Sequence, residues 1–250
     1  MRQRNDALIH ELMPAPYALN RAAAQAVACA LAVWAMAMTL FSSALPALIA
    51  ELIFGGVVFF VLAGFARLRP RPAFGKANGI TLFRSALIAV LAGHAIEVPS
   101  SGDAAWWIAV ALATTALALD GADGWVARRD RTASAFGARF DMEVDALAAL
   151  VLAAVLWQSG RMGGWILLIG LLRYLFVLAG WAFPSMRRPL PPSQRRRVVC
   201  ALQGVLLAAC LVPAWPAGVA AALGALALAM TSLSFLADTV WLVRRRWEPA

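Results

Sequence analysis

Long apolar stretches alternate along the chain with short segments rich in arginine and proline. Each apolar stretch approaches or exceeds the roughly 17 to 25 residues that cross a bilayer as a helix. Eight membrane-spanning helices are predicted, at residues 24–44, 47–66, 79–96, 104–121, 138–158, 163–183, 198–214 and 216–243. The predicted fold class is therefore an all-α polytopic membrane protein.

The composition agrees with a membrane protein. Of the 250 residues, 62% are hydrophobic and 14% are charged, and the mean hydropathy is +0.76, which is more apolar material than a soluble core needs. The net charge of +9 would suit nucleic-acid binding, but no basic stripe interleaves with aromatic residues and no nucleic-acid motif occurs. We therefore expect membrane lipids, and no nucleic acid, as partners. Cys29, Cys200 and Cys210 fall in apolar stretches and are predicted to be buried free thiols.

The positive charges indicate the orientation of the chain. With a cytoplasmic N-terminus, 19 of the 22 Lys and Arg residues lie in cytoplasmic segments, and the external loops hold Arg161 alone. The positive-inside rule therefore predicts cytoplasmic termini. The near-absence of lysine hints at a GC-rich bacterial genome. The expected location is the bacterial inner membrane. The other two arginines, Arg84 and Arg173, fall within spans, where a guanidinium needs a carboxylate or a bound phosphate. For Arg173, both Glu143 and a substrate are candidates.

Four aspartates stand out between the fourth and fifth apolar stretches. Asp120 and Asp123 are three residues apart, and Asp141 and Asp145 are four apart. If both stretches are helical, each pair shares a helix face, and two facing pairs would form a site with four carboxylates. Hard oxygen ligands without a nearby His or Cys favour magnesium, manganese or calcium over zinc. A magnesium site usually leaves positions open for phosphate, so a phosphate or diphosphate ligand is expected.

Small residues and an arginine accompany these carboxylates. Gly124, Ala127 and Gly137 would let backbone approach a ligand closely, and Arg128 would suit phosphate oxygens. Two divalent ions bridging a diphosphate would support an in-line displacement at phosphorus. One carboxylate could then accept the proton of an attacking hydroxyl. The site is predicted to face the cytoplasm.

The whole pattern reads D-x2-D-G-x2-A-R-x8-G-x3-D-x3-D, and it resembles the signature of the CDP-alcohol phosphatidyltransferase family. The fixed positions are Asp120, Asp123, Gly124, Ala127, Arg128, Gly137, Asp141 and Asp145. The resemblance implies a membrane enzyme that transfers a phosphatidyl-type group from a CDP-linked donor to an alcohol and releases CMP. It also implies two Mg²⁺ or Mn²⁺ ions and, because family members are often homodimers, a possible homodimer.

The same resemblance assigns roles by position. Asp120, Asp123 and Asp141 look like metal ligands, and Asp145 looks like the base that also faces the second metal. Gly124, Arg128 and Gly137 would contact the CDP moiety, with Ala127 beside them.

A six-helix catalytic core is also implied by the resemblance, and it sets the predicted domain organisation. The predicted parts are a cytoplasmic N-terminal segment, a two-helix transmembrane addition, the six-helix core and a basic cytoplasmic tail, at residues 1–23, 24–76, 77–243 and 244–250.

A second, weaker match lies at the start of the predicted core. Asn78, Thr81 and Arg84 resemble the N-x2-T-x2-R opening of the first core helix of the family, and are possible substrate-binding residues together with Arg173. Residues 140–145 depart from the D-P-x-A-D-K version of the glycerophosphate-using branch. The acceptor therefore stays open among glycerol 3-phosphate, an inositol or its phosphate, serine, choline and another phosphatidyl lipid.

Other functions are compatible with part of the pattern. The aspartates could be independent helix-end charges, but these would not need both the helical spacing and the glycine–arginine element. A divalent-cation transporter would place its acids near mid-membrane, and a catalytically silent lipid-binding protein would not need every fixed residue. An aromatic prenyltransferase also binds diphosphate through aspartates, but its acidic motifs lie in two separate repeats.

Overall fold

The computed structural model describes residues 16–66, 74–98, 102–130, 132–183, 186, 188, 190–191 and 193–244. Most of the predicted N-terminal segment and most of the basic tail lie outside these residues. The same is true of nine of the arginines assigned to cytoplasmic segments, namely Arg2, Arg4, Arg67, Arg69, Arg71, Arg131, Arg187, Arg245 and Arg246.

The described residues form eight α-helices and one short 3₁₀ helix, and they contain no strand. In chain order these are α1 Pro16–Leu40, α2 Ala44–Ala66, α3 Lys76–His94, α4 Gly102–Arg129, α5 Ala135–Gln158, the 3₁₀ helix Gly164–Leu167, α6 Leu168–Ala182, α7 Gln194–Cys210 and α8 Ala217–Arg244. Each predicted apolar stretch corresponds to one of these helices, which confirms the all-α prediction.

Five segments within the described residues are long and apolar enough to cross a membrane by length and composition. They are Leu19–Leu40, Ala44–Phe65, Gly102–Arg129, Gly164–Ala182 and Ala217–Arg244. The chain is thus a polytopic membrane protein. The other three predicted spans coincide with helices that carry Arg84 (α3), Asp141 and Asp145 (α5), or a run of three arginines (α7). The total of eight spans stays a prediction.

Helix α4 extends beyond the apolar stretch that predicted it. The stretch ends at residue 121, whereas the helix continues to Arg129, so Gly124, Ala127 and Arg128 are helical as well. Helix α5 then begins at Ala135, where the Ser134 hydroxyl accepts a hydrogen bond of 3.0 Å from the Gly137 backbone N–H. This is the N-cap arrangement in which a side-chain oxygen satisfies an unpaired donor of the first turn.

The chain divides into two compact units. Unit 1 comprises Met1–His94 and Thr115–Val144, and unit 2 comprises Ala95–Thr114 and Asp145–Ala250. The chain of α4 enters unit 1 at Thr115, and that of α5 leaves it after Val144. The aspartates of α4 therefore belong to unit 1, together with Asp141.

In unit 1, α1, α2 and α3 pack against one another. Gly93 on α3 lies so close to the Pro46 carbonyl of α2 that a Cβ would overlap it. At the other end of α2, the fully buried Phe65 lies edge-on to Phe74 and to Phe136, with ring centroids 5.5 and 5.3 Å apart. The two N-terminal helices therefore pack on α3, and α2 also contacts the start of α5, the helix that bears Asp141.

In unit 2, α8 packs against α6 and α7. Gly170 of α6 lies against the Leu150 backbone of α5, where a side chain would overlap. Arg161, in the loop after α5, donates to the Val212 carbonyl at 2.6 Å and to the Trp215 carbonyl at 3.1 Å. That loop is therefore held to the segment that joins α7 and α8.

Candidate active site

The centre of the candidate site in unit 1 is Arg84 on α3. Its guanidinium donates to a carboxylate oxygen of Asp120 on α4 and, at 2.7 Å, to one of Asp141 on α5. It also lies 3.6 Å from Asp123. Only 2% of Arg84 is exposed, so the cation is enclosed by protein. The expectation that this arginine meets carboxylates is confirmed, and three of the four predicted aspartates meet around it.

Asp123 is the most deeply buried of these carboxylates, with 4% of its surface exposed. The Thr81 hydroxyl, one turn before Arg84 on α3, donates to Asp123 Oδ2 at 2.8 Å. A buried carboxylate is costly unless it is paired and hydrogen-bonded, and Asp123 has both kinds of partner. Thr81 and Arg84 of the N-x2-T-x2-R element therefore contact the protein's own aspartates.

Two partly exposed carboxylates of unit 1 form a candidate metal site. One carboxylate oxygen of Asp120 lies within 4.8 Å of one carboxylate oxygen of Asp141. Asp145 follows one turn after Asp141 on the continuous helix α5, and its oxygen lies within 4.8 Å of that of Asp141. Ligands of one Mg²⁺, Mn²⁺ or Ca²⁺ ion lie at most about 4 to 5 Å apart. An all-carboxylate set of this spacing fits such an ion.

The predicted close-approach residues lie next to the aspartates. A Cβ on Gly124 would sit 3.2 Å from Arg128 Nη1, so the Arg128 side chain lies over this glycine. A Cβ on Gly137 would sit 2.8 Å from the Asn78 side-chain oxygen and 3.2 Å from the Ser134 hydroxyl. Gly137 therefore lets Asn78 of α3 reach the capped first turn of α5. This contact within the protein was not anticipated from the sequence, which suggested only a ligand there.

Helix α7 contributes a residue beside Asp145 in unit 2. The Cys200 thiol lies 3.5 Å from Asp145 Oδ2, within reach of an S–H hydrogen bond. Cys29 and Cys210 are buried as predicted, but Cys200 is exposed. The prediction for Cys200 is wrong because this part of α7 is apolar without being enclosed by protein: Val198 and Leu202 beside it are exposed as well. No spacing in the sequence marks Cys200 as a neighbour of Asp145.

Farther along unit 2, Asp238 of α8 is paired with α7. It accepts hydrogen bonds from Arg195 and, at 3.1 Å, from Arg196, and Arg195 also donates to the Ser234 carbonyl at 2.7 Å. Asp238 is therefore paired with two arginines of α7. Arg173 lies half-buried on α6, and its role stays a prediction.

The model of the CDP-alcohol phosphatidyltransferase family matches residues 74–233, which is more than half of the chain. The chain belongs to this family. Searches of curated proteins and of solved structures each found no match. Members of this family are membrane transferases that use a CDP-linked alcohol as a substrate. The matched region begins just before α3 and ends within α8, so it contains every aspartate of the site. Helices α1 and α2 precede it.

Proposed function

We propose that this CDP-alcohol phosphatidyltransferase moves a phosphatidyl-type group from a CDP-linked lipid such as CDP-diacylglycerol to an alcohol hydroxyl, with release of CMP, in phospholipid biosynthesis. The observation that carries the proposal is the approach of Asp120 on α4 to Asp141 on α5, within the region that the family model matches. The other signature residues lie on the same two helices as these carboxylates.

Carboxylate chemistry supports two divalent ions, Mg²⁺ or Mn²⁺, as cofactors. Asp120, Asp123, Asp141 and Asp145 would hold them through oxygen atoms alone, as these hard cations prefer. When bound, the ions would stabilise negative charge on the oxygens of the reacting phosphoryl group and on the departing phosphate. The partly exposed oxygens of Asp120 and Asp141 suit this task better than the enclosed Asp123, whose Oδ2 already accepts from Thr81.

The residues of the chain account for the remaining chemistry. Asp145 accepts the proton of the acceptor hydroxyl, and the hydroxyl oxygen forms a bond to the phosphorus that bears the lipid group. The bond from this phosphorus to the bridging oxygen breaks, and that oxygen leaves with CMP. Arg128 binds phosphate oxygens, while Gly124, Ala127 and Gly137 admit the CDP moiety. The charge of Asp145 is therefore essential, whereas Arg128 contributes to binding.

Substrate contacts beyond this set are proposed for Asn78, Thr81 and Arg173. Asn78 lies beside Gly137 at the first turn of α5, which would put its amide next to the bound CDP. The acceptor alcohol is proposed only as a class, because residues 140–145 do not follow the glycerophosphate version of the motif. Possible acceptors are glycerol 3-phosphate, an inositol or its phosphate, serine, choline and another phosphatidyl lipid.

The arginine distribution supports a cytoplasmic active site and cytoplasmic termini in a bacterial inner membrane. A nucleotide-linked headgroup is soluble and would reach the site from that side. A homodimer is proposed from family membership alone, and gel filtration with light scattering in detergent would test it.

The test of the proposed function is CMP release by the purified protein with CDP-diacylglycerol, Mn²⁺ and an acceptor. We expect metal-dependent release by the wild type and none by Asp145→Asn, a variant that keeps the shape of the side chain and loses its charge. The matched control is Asp103→Asn at the far end of α4, which should retain wild-type release. Release that persists in Asp145→Asn would remove this residue as the base. Metal uptake into liposomes without any CMP release would indicate a transporter instead.

A further inference from the structure

The charges around Arg84 do not balance within the part of unit 1 that the structure describes. Its guanidinium contacts three carboxylates, those of Asp120, Asp123 and Asp141. One positive and three negative charges leave a net charge of minus two at a place where Arg84 and Asp123 are almost fully enclosed. Like charges this close repel one another, and the repulsion is strongest at the enclosed Asp123, whereas solvent screens part of it at the partly exposed Asp120 and Asp141. Arg84 therefore relieves part of a repulsion that would otherwise drive α4 and α5 apart.

The contacts leave room for a second cation. Arg84 uses Oδ1 of Asp120 and Oδ1 of Asp141, and it lies near Oδ2 of Asp123. Each carboxylate carries two oxygens, so an arginine can hold one oxygen while a metal ion binds the other. One divalent ion would bring the net charge of this group from minus two to zero.

We propose that Arg84 is a positioning residue, a resident cation that holds Asp120, Asp123 and Asp141 together before metal binds and stays in place beside the metal afterwards. Its guanidinium is occupied by the protein's own carboxylates, so Arg84 acts on the substrate only through them. The part of this inference that concerns metal rests on the proposed function; the part that concerns the metal-free protein does not.

The first test compares unfolding temperatures in detergent with EDTA and with Mn²⁺. Loss of one member of a buried ion pair is strongly destabilising, so we expect Arg84→Gln to unfold about 5 to 15 °C below the wild type in EDTA. Mn²⁺ should raise the unfolding temperature of Arg84→Gln by more than that of the wild type, because the ion then relieves more repulsion. The charge-matched control is Arg129→Gln on the exposed end of α4, which should unfold with the wild type.

The second test separates charge balance from packing. In the double variant Arg84→Gln with Asp123→Asn, one negative charge is removed with the positive one, and the asparagine oxygen still accepts from Thr81. In EDTA, we expect this double variant to recover a substantial part of the unfolding temperature that Arg84→Gln loses. If Arg84 served only to fill space, Asp123→Asn would recover nothing. If Arg84→Gln does not yield folded protein, recovery of folded protein by the double variant is the corresponding result.

Three outcomes would overturn the proposal. They are an unfolding temperature of Arg84→Gln in EDTA equal to that of the wild type, a double variant no more stable than Arg84→Gln, and equal Mn²⁺ shifts in Arg84→Gln and the wild type. CMP release by the wild type is measured on the same preparations. If the wild type releases no CMP but the unfolding temperatures are as expected, the proposed function is rejected and the positioning role of Arg84 stands. If the wild type releases CMP but the unfolding temperatures are not as expected, only the positioning role of Arg84 is rejected.

Discussion

Substitution of Gly137 by alanine tests how tightly the first turn of α5 is fitted to α3. The added Cβ would lie 2.8 Å from the Asn78 side-chain oxygen and 3.2 Å from the Ser134 hydroxyl. A carbon atom does not approach an oxygen atom to 2.8 Å without repulsion, so one of the two must move. Asn78 is 8% exposed and has little space for a new rotamer. We expect the start of α5 to shift, and Asp141 one turn later to shift with it.

The magnitude follows from opposing terms. Overpacking costs about 1 to 3 kcal/mol, and a weakened cap at Ser134 costs about 1 kcal/mol. Replacement of a helical glycine by alanine returns about 0.5 to 1 kcal/mol. We therefore expect Gly137→Ala to lose about 1 to 3 kcal/mol of stability, which corresponds to about 2 to 10 °C in unfolding temperature. A comparable loss of transition-state stabilisation would lower CMP release about 5-fold to 160-fold.

The assay is thermal unfolding in detergent together with CMP release. Gly55→Ala is the matched control, because a Cβ at this exposed position of α2 meets no atom within 4 Å. A double variant that shortens Asn78 to alanine should recover the stability of Gly137→Ala but not its activity. If Gly137→Ala matched Gly55→Ala in both assays, the close contact between α3 and α5 would not exist in the protein.

Three further predictions concern the metal, the N-terminal helices and α8. EDTA should abolish CMP release and Mn²⁺ or Mg²⁺ should restore it, whereas activity that survives exhaustive chelation would contradict a carboxylate metal site. Phe65→Ala should lose about 3 to 5 kcal/mol of stability, since a fully buried ring is removed. The control Phe59→Ala removes a ring that is 67% exposed and should leave the stability nearly unchanged. Equal unfolding temperatures of the two variants would argue against packing of α2 on α5. Asp238→Asn should lose about 1 to 3 kcal/mol of stability, because two arginines lose their charged partner. An unchanged unfolding temperature would show that these two ion pairs do not stabilise the fold.

The helices could be predicted well because the apolar stretches mark lipid-facing or buried segments directly. Their ends could not, since a helix continues past its apolar part wherever polar side chains are solvated or paired. Helix α4 shows this, as it runs eight residues beyond its apolar stretch to Arg129. The number of spans is also not fixed by hydropathy alone, because α3 carries Arg84, which the protein encloses, and α5 carries two partly exposed aspartates.

The candidate site could be predicted as a set of residues but not as a set of contacts. The spacing of Asp141 and Asp145 defines a helix face, and the structure keeps them on one turn. Arg84, however, lies 36 residues before Asp120, and no local pattern states which carboxylates an arginine will meet. For the same reason, the contact of Cys200 with Asp145 and that of Gly137 with Asn78 depend on how helices pack.

The most direct test of the proposed activity is CMP release from CDP-diacylglycerol with Mn²⁺, measured against the alcohol acceptors one at a time. We expect release with one acceptor, and none with that acceptor in Asp145→Asn. No release with any acceptor, together with no metal-dependent binding of CDP, would contradict the proposed function.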